Sequence, residues 1–136
     1  MSVGILLITH NRIGFELLET ARQTLGFCPV QTRVLDVAQD DDPDRLCEQG
    51  ADLIRLLDGG DGVLLLTDCY GSTPGNIAAQ LARNHRITVI AGVNLPMLLR
   101  IFNYPGLKLW ELAEKARAGG KNGIMLMDTY RQARER

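Results

Sequence analysis

The chain is short of several things that would settle its class at once. It has three cysteines (Cys28, Cys47, Cys69), an odd number set far apart with no CxxC pair. A disulfide framework or a cysteine-rich zinc site is therefore not expected, and a reducing compartment fits best. Histidine occurs only at His10 and His85, and aromatic residues make up 5% of the chain. Charge is almost balanced at a formal −1, so no basic surplus invites nucleic acid or an anionic membrane. No apolar run is long enough to cross a bilayer, and the N-terminal one lacks the length and basic flank of a signal peptide. Direct membrane insertion is not expected, and the cytoplasm is the expected location. Neither GxGxxG nor GxxxxGK[ST] occurs, which removes the usual phosphate loops of dinucleotide and nucleoside-triphosphate sites.

What is there is an alternation. The run Val3–Ile8 is apolar except for Gly4 and stops at Thr9–His10–Asn11, which predicts a fully buried first strand. A helix is expected from Gly14 to Leu25, closed by Gly26, then a strand over Val30–Val37. Asp40–Asp42 and Pro43 read as a solvated helix start, leading into a helix over Asp44–Leu57 with Leu46, Ile54 and Leu57 inward. Val63–Thr67 repeats the apolar strand. It is followed by a helix from Pro74 to Arg83, a strand over Ile87–Ala91, a short helix from Pro96 to Phe102 and a longer one over Leu107–Ala118. Gly119–Gly120 is expected to break the chain before a fifth strand at Gly123–Met127. Trp110, between Leu109 and Leu112, reads as a core residue, and His85 as a solvated loop residue.

Strands that alternate with helices predict an α/β fold: one open, mostly parallel sheet with helices on both faces. The two fully apolar strands belong at its centre, giving the order 2-1-3-4. Residues 1–136 read as one domain with a charged tail over 128–136. In such a sheet chemistry gathers at the carboxyl ends of the strands, beside the point where the order reverses. Three strand ends meet there: Thr9–His10–Asn11, Asp68–Asn76 and Gly92–Asn94.

Their residue types suit one chemistry. Pro74 fits a helix start, Ser72 or Thr73 its cap, and Gly71 a tight turn that presents N–H groups outward. A helix start of this kind attracts anions. A carboxylate at Asp68 accepting from one nitrogen of His10 would leave the other nitrogen as an oriented nucleophile. A nucleophilic histidine beside a phosphate-sized anion site suggests transient phosphorylation. Each part also has a plain reading: a polar strand end, a turn acid, an ordinary cap. A metal site of His10, Asp68 and Cys69 is disfavoured because Cys69 reads as a small buried hydrophobe. No metal or other cofactor is expected.

Three stretches, LLITHNRIGFELLETA, VLLLTDCYGSTPGNIA and VIAGVNLPMLL, resemble the mannose-type IIA domain of the bacterial phosphoenolpyruvate:sugar phosphotransferase system. The likeness runs from Val3 to about Ala118. It implies a phosphocarrier of an open α/β fold, typically a homodimer, in which His10 accepts a phosphoryl group on Nε2 from phospho-HPr and passes it to a IIB protein. It further implies that Asp68 partners Nδ1, and that Thr73 and nearby backbone amides, with Gly71 and Ser72 around them, bind the phosphoryl oxygens. Exchange between two histidines is nearly balanced and calls for positioning more than for a metal. Asn11 stands where the family commonly has glycine, and Cys69–Tyr70 and Ser72 vary the second motif; donor and acceptor preference stay open. The Gly123–Met127 strand resembles one that can pair with a neighbouring subunit. Ile13, Leu95, Met97 and Leu98 are candidates for a docking rim, with a core role equally open for Leu98. The chain reads as acting in trans, either in sugar uptake or as a regulatory module whose His10 phosphorylation a partner reads.

Overall fold

In a computed structural model, residues 2–28, 30–83 and 86–128 are described. Four strands, β1 (Gly4–His10), β2 (Thr32–Val37), β3 (Val63–Thr67) and β4 (Ile87–Ala91), form one parallel sheet of order β2-β1-β3-β4. The helices are α1 (Ile13–Leu25), α2 (Pro43–Leu57), α3 (Thr73–Leu81), α4 (Leu95–Phe102) and α5 (Leu109–Asn122).

Each central strand is apolar on both faces because helices cover both. On one face Ile5, Leu7, Leu64 and Leu66 pack with Leu18 and Ala21 of α1, Leu98 and Ile101 of α4, and Leu112 and Ala116 of α5. On the other, Leu6, Ile8 and Leu65 pack with Leu46 and Ile54 of α2 and Ile77 and Leu81 of α3. Each such Leu or Ile contributes roughly 1.5–3 kcal/mol of burial free energy, which outweighs any local preference of the strand ends. The open order leaves β2 and β4 as edges, and β4 is half-buried over most of its length.

The predicted elements form with three differences. The segment Gly119–Gly120 does not break the last helix; α5 runs through both residues to Asn122. The reason is proximity. A Cβ on Gly119 would lie 2.6 Å from Cβ of Arg100, and one on Gly120 2.8 Å from Cε of Met97. The glycines let α5 lie against α4, and packing overrides their poor helix propensity. Gly123 then caps α5, and residues 124–128 join no strand among the described residues. Trp110, finally, is 67% exposed, because the inward stripe of α5 is made by Leu109, Leu112, Ala113 and Ala116. His85 and the tail arginines Arg131, Arg134 and Arg136 lie outside the described residues.

Candidate functional site

The alternation of β1 continues to its end and separates two neighbours. Thr9 falls on the α1 face and is fully buried, while His10 falls on the α2–α3 face at the rim of the sheet. Thr9 takes on a capping role. Arg12, the N-cap position of α1, makes no side-chain cap bond, and Thr9 Oγ1 instead accepts the N–H of Gly14 at 2.7 Å. Between these anchors the chain turns through Asn11, whose φ is 47° and whose N–H donates to Val37 O at 2.9 Å.

The end of β3 meets this turn. Asp68 Oδ2 accepts the backbone N–H of His10 at 3.1 Å and lies 2.8 Å from its Nδ1, two contacts that span 58 residues of sequence. An ionised carboxylate only accepts, so the ring proton belongs on Nδ1 and the lone pair on Nε2. The His10 side chain is 45% exposed and that of Asp68 12%. One nitrogen is thus tied down inside and the other is offered outward. Asp68 Oδ1 is buried and finds no partner among the described residues.

A groove of about 380 Å³ opens in front of the ring, lined by His10, Asn11, Val37, Ala38, Gln39, Asp41, Pro43 and Thr73. The start of α3 divides its polar groups between two tasks. Ser72 is the N-cap: its Oγ accepts the N–H of Gly75 at 3.3 Å and donates to Cys69 O at 2.6 Å. Its carbonyl takes the N–H of Asn76 at 2.8 Å. Pro74 has no N–H, so the N–H and hydroxyl of Thr73 are what the helix start has left for an anion. Gly71 adopts φ 79°, which a side chain would resist, and lines a neighbouring cavity with Thr67, Tyr70 and Asn76. Of the expected residues, then, His10 and Thr73 share the groove, with Asp68 bonded to the ring. Ser72 and Gly71 shape the loop behind them.

Other expectations are placed differently. Cys69 is exposed rather than buried, its residue following the outward turn after β3. Among the described residues no three His, Cys, Asp or Glu side chains gather as metal ligands. Asn94 is turned to structure: its Oδ1 accepts the N–H of Met97 and its Nδ2 donates to Gly120 O, both at 3.0 Å, joining α4 to α5. Met97 and Leu98 are buried in the core and leave the rim to Ile13 and the half-buried Leu95. Thr9 and the β2–α2 wall of the groove carried no motif. Only the strand alternation, extended to its last residue, could have pointed to Thr9.

The fold and site define a small open-sheet α/β domain with a carboxylate-held histidine facing a groove at the carboxyl ends of its strands. Comparison with known proteins narrows this. Residues 4–115 match the EIIA-man family model, described as PTS system fructose IIA component. Over 102 residues the chain is 34% identical to the PTS system mannose-specific EIIAB component of Escherichia coli (strain K12), covering 73% of this chain and 31% of that protein. It therefore spans about a third of that relative's length. A shorter stretch of 42 residues is 48% identical to the PTS system fructose-specific EIIA component of Bacillus subtilis (strain 168), 30% of this chain and 29% of that one. The fold is similar to that of the mannose/sorbose specific IIA subunit of the phosphotransferase system from Enterococcus faecalis. The TM-score is 0.83 at 22% identity, covering 93% of this chain and 96% of that one, a likeness of fold alone. The chain belongs to the EIIA-man family of the phosphotransferase system.

Proposed function

We propose that this protein is a phosphocarrier that takes a phosphoryl group from phospho-HPr on His10 Nε2 and gives it to a IIB protein during sugar uptake. The observation that carries the reading is the 2.8 Å contact between His10 Nδ1 and Asp68 Oδ2, made by a ring whose far side is open to the groove shared with Thr73. The Nε2 lone pair attacks phosphorus in line. The N–P bond of the donor breaks as the new one forms, and its electron pair returns to the donor ring. The proton on Nδ1 stays on its bond to Asp68, whose negative charge stabilises the cationic character the ring acquires. The N–H and hydroxyl of Thr73 receive the phosphoryl oxygens. Onward transfer runs the same step in reverse toward the acceptor.

Both carriers act in the cytoplasm, and so does this chain. It works as a homodimer in which Gly123–Met127 adds to a neighbouring copy. The exposed apolar run Ile124–Met127 and the open edge of β4 support that arrangement. Among the described residues no helix is long and apolar enough to cross a membrane.

The test is incubation with phosphoenolpyruvate, enzyme I and HPr. An acid-labile, base-stable phosphate is expected on the wild type and is missing from His10→Ala. A wild type that stays unlabelled would sink the reading.

A further inference from the structure

Asn11 occupies a position that glycine would fill at no steric cost. Its φ of 47° makes it the one non-glycine residue with positive φ among those described, and it directly follows His10. Asparagine tolerates this region better than most side chains but still less freely than glycine. Its backbone is pinned by the bond to Val37 O, whereas its side-chain amide has no hydrogen-bond partner among the described residues. The residue lines the groove with His10 and Thr73.

The donors around that groove can be accounted for one by one. A phosphoryl group on Nε2 brings three acceptor oxygens. Thr73 serves the α3 side. On the β2–α2 side, the N–H of Ala38 is already given to Asp41 Oδ2 at 2.8 Å and that of Asp41 to Ala38 O at 3.2 Å, Pro43 has none, and the Asp41 carboxylate only accepts, which leaves the backbone N–H of Gln39. Asn11 and Gln39 are the remaining side-chain N–H carriers in the walls, and of these Asn11 is held by an anchored backbone next to the ring. We infer that the Asn11 side-chain amide is a second phosphoryl-binding donor, contacting the group on His10 from the wall of the groove that Asn11 lines. The bond exists only while phosphorus is on Nε2, so it favours the phosphorylated form. This rests on the function proposed above.

Asn11→Gly separates the two demands, because glycine relieves the backbone while removing the amide. Wild type, Asn11→Gly and Asn11→Asp are equilibrated with phosphoenolpyruvate, enzyme I and HPr, and the ratio of phosphorylated to free protein is measured against phospho-HPr. For Asn11→Gly, a melting temperature no lower than wild type is expected, with the transfer equilibrium weakened by about ten- to a hundredfold, the worth of a hydrogen bond to a charged group. Asn11→Asp, of the same shape but with an anion in place of the donor, weakens it further. In wild type the Asn11 side-chain amide proton shifts downfield in NMR spectra on phosphorylation. A labelled wild type with Asn11→Gly within twofold of it, or with that amide resonance unmoved, overturns this inference alone. A wild type never labelled overturns it together with the function it rests on.

Discussion

Thr9 Oγ1 and the N–H of Gly14 meet at 2.7 Å under the first turn of α1, on the opposite face of the sheet from the His10 ring. One strand end therefore does two jobs. Its buried hydroxyl seats the helix, and the next residue presents a half-exposed imidazole on the other side. The consequences of this arrangement can be measured.

Thr9→Val keeps the shape and removes the acceptor, leaving the Gly14 N–H buried without a partner. Loss of about 1–2 kcal/mol of stability is expected by urea denaturation, the usual worth of a helix cap. Thr9→Ser restores most of it. A Val variant as stable as wild type would show that the bond carries no weight.

Asp68→Asn tests the charge of the ring's partner. Oδ2 alone takes both the backbone N–H and the Nδ1–H of His10, so an amide oxygen in its place keeps both bonds and the tautomer while removing the negative charge that would stabilise a cationic ring. Labelling from phospho-HPr should slow by about ten- to a hundredfold, the worth of one charge-assisted hydrogen bond. Far-UV circular dichroism should be unchanged.

Gly119→Ala sets helix propensity against packing. Alanine gains up to about 1 kcal/mol within a helix. Its Cβ, however, would sit 2.6 Å from Cβ of Arg100, an atom that cannot swing aside because it is fixed to the α4 backbone. Overpacking typically costs about 1–3 kcal/mol, so a net loss of roughly 1–2 kcal/mol is expected. A rise in melting temperature would mean the two helices are not in close contact.

The thiols should differ in reactivity. Burial, and then the nearby Asp44 carboxylate, push the Cys47 thiol above its ordinary pKa, so less thiolate is present at pH 8. Cys69 is exposed. Iodoacetamide should label Cys69 before Cys47, as read by peptide mass spectrometry. The reverse order would contradict the burial of Cys47.

Much of the fold was legible in local pattern. Five of the seven residues Val3–Thr9 and all of Val63–Leu66 are apolar and fit for a strand covered on both sides, and that alone places them at the sheet centre. Gly26, Asp42 and Pro43 announced the helix ends they make. Gly119–Gly120 misled because glycine is read locally as a breaker, whereas here it answers a neighbouring helix distant in sequence. Trp110 misled because a large ring among leucines was read by its neighbours rather than by its angle around α5, which points it outward. In the site, the histidine, the acid and the helix start could all be named from the residues. Which hydroxyl caps and which is left for an anion could not.

The sequence by itself determined the alternation of elements, the strand order and the edge at which His10, Asp68 and Thr73 would gather, because burial periodicity is a local property that each segment carries with it. Only the tertiary structure decided that one oxygen of Asp68 would hold both ends of His10, that Ser72 would cap while Thr73 faced the groove, and that Thr9 would seat α1. Those are distances between atoms on different elements, and they take values only when the whole sheet and its helices have packed.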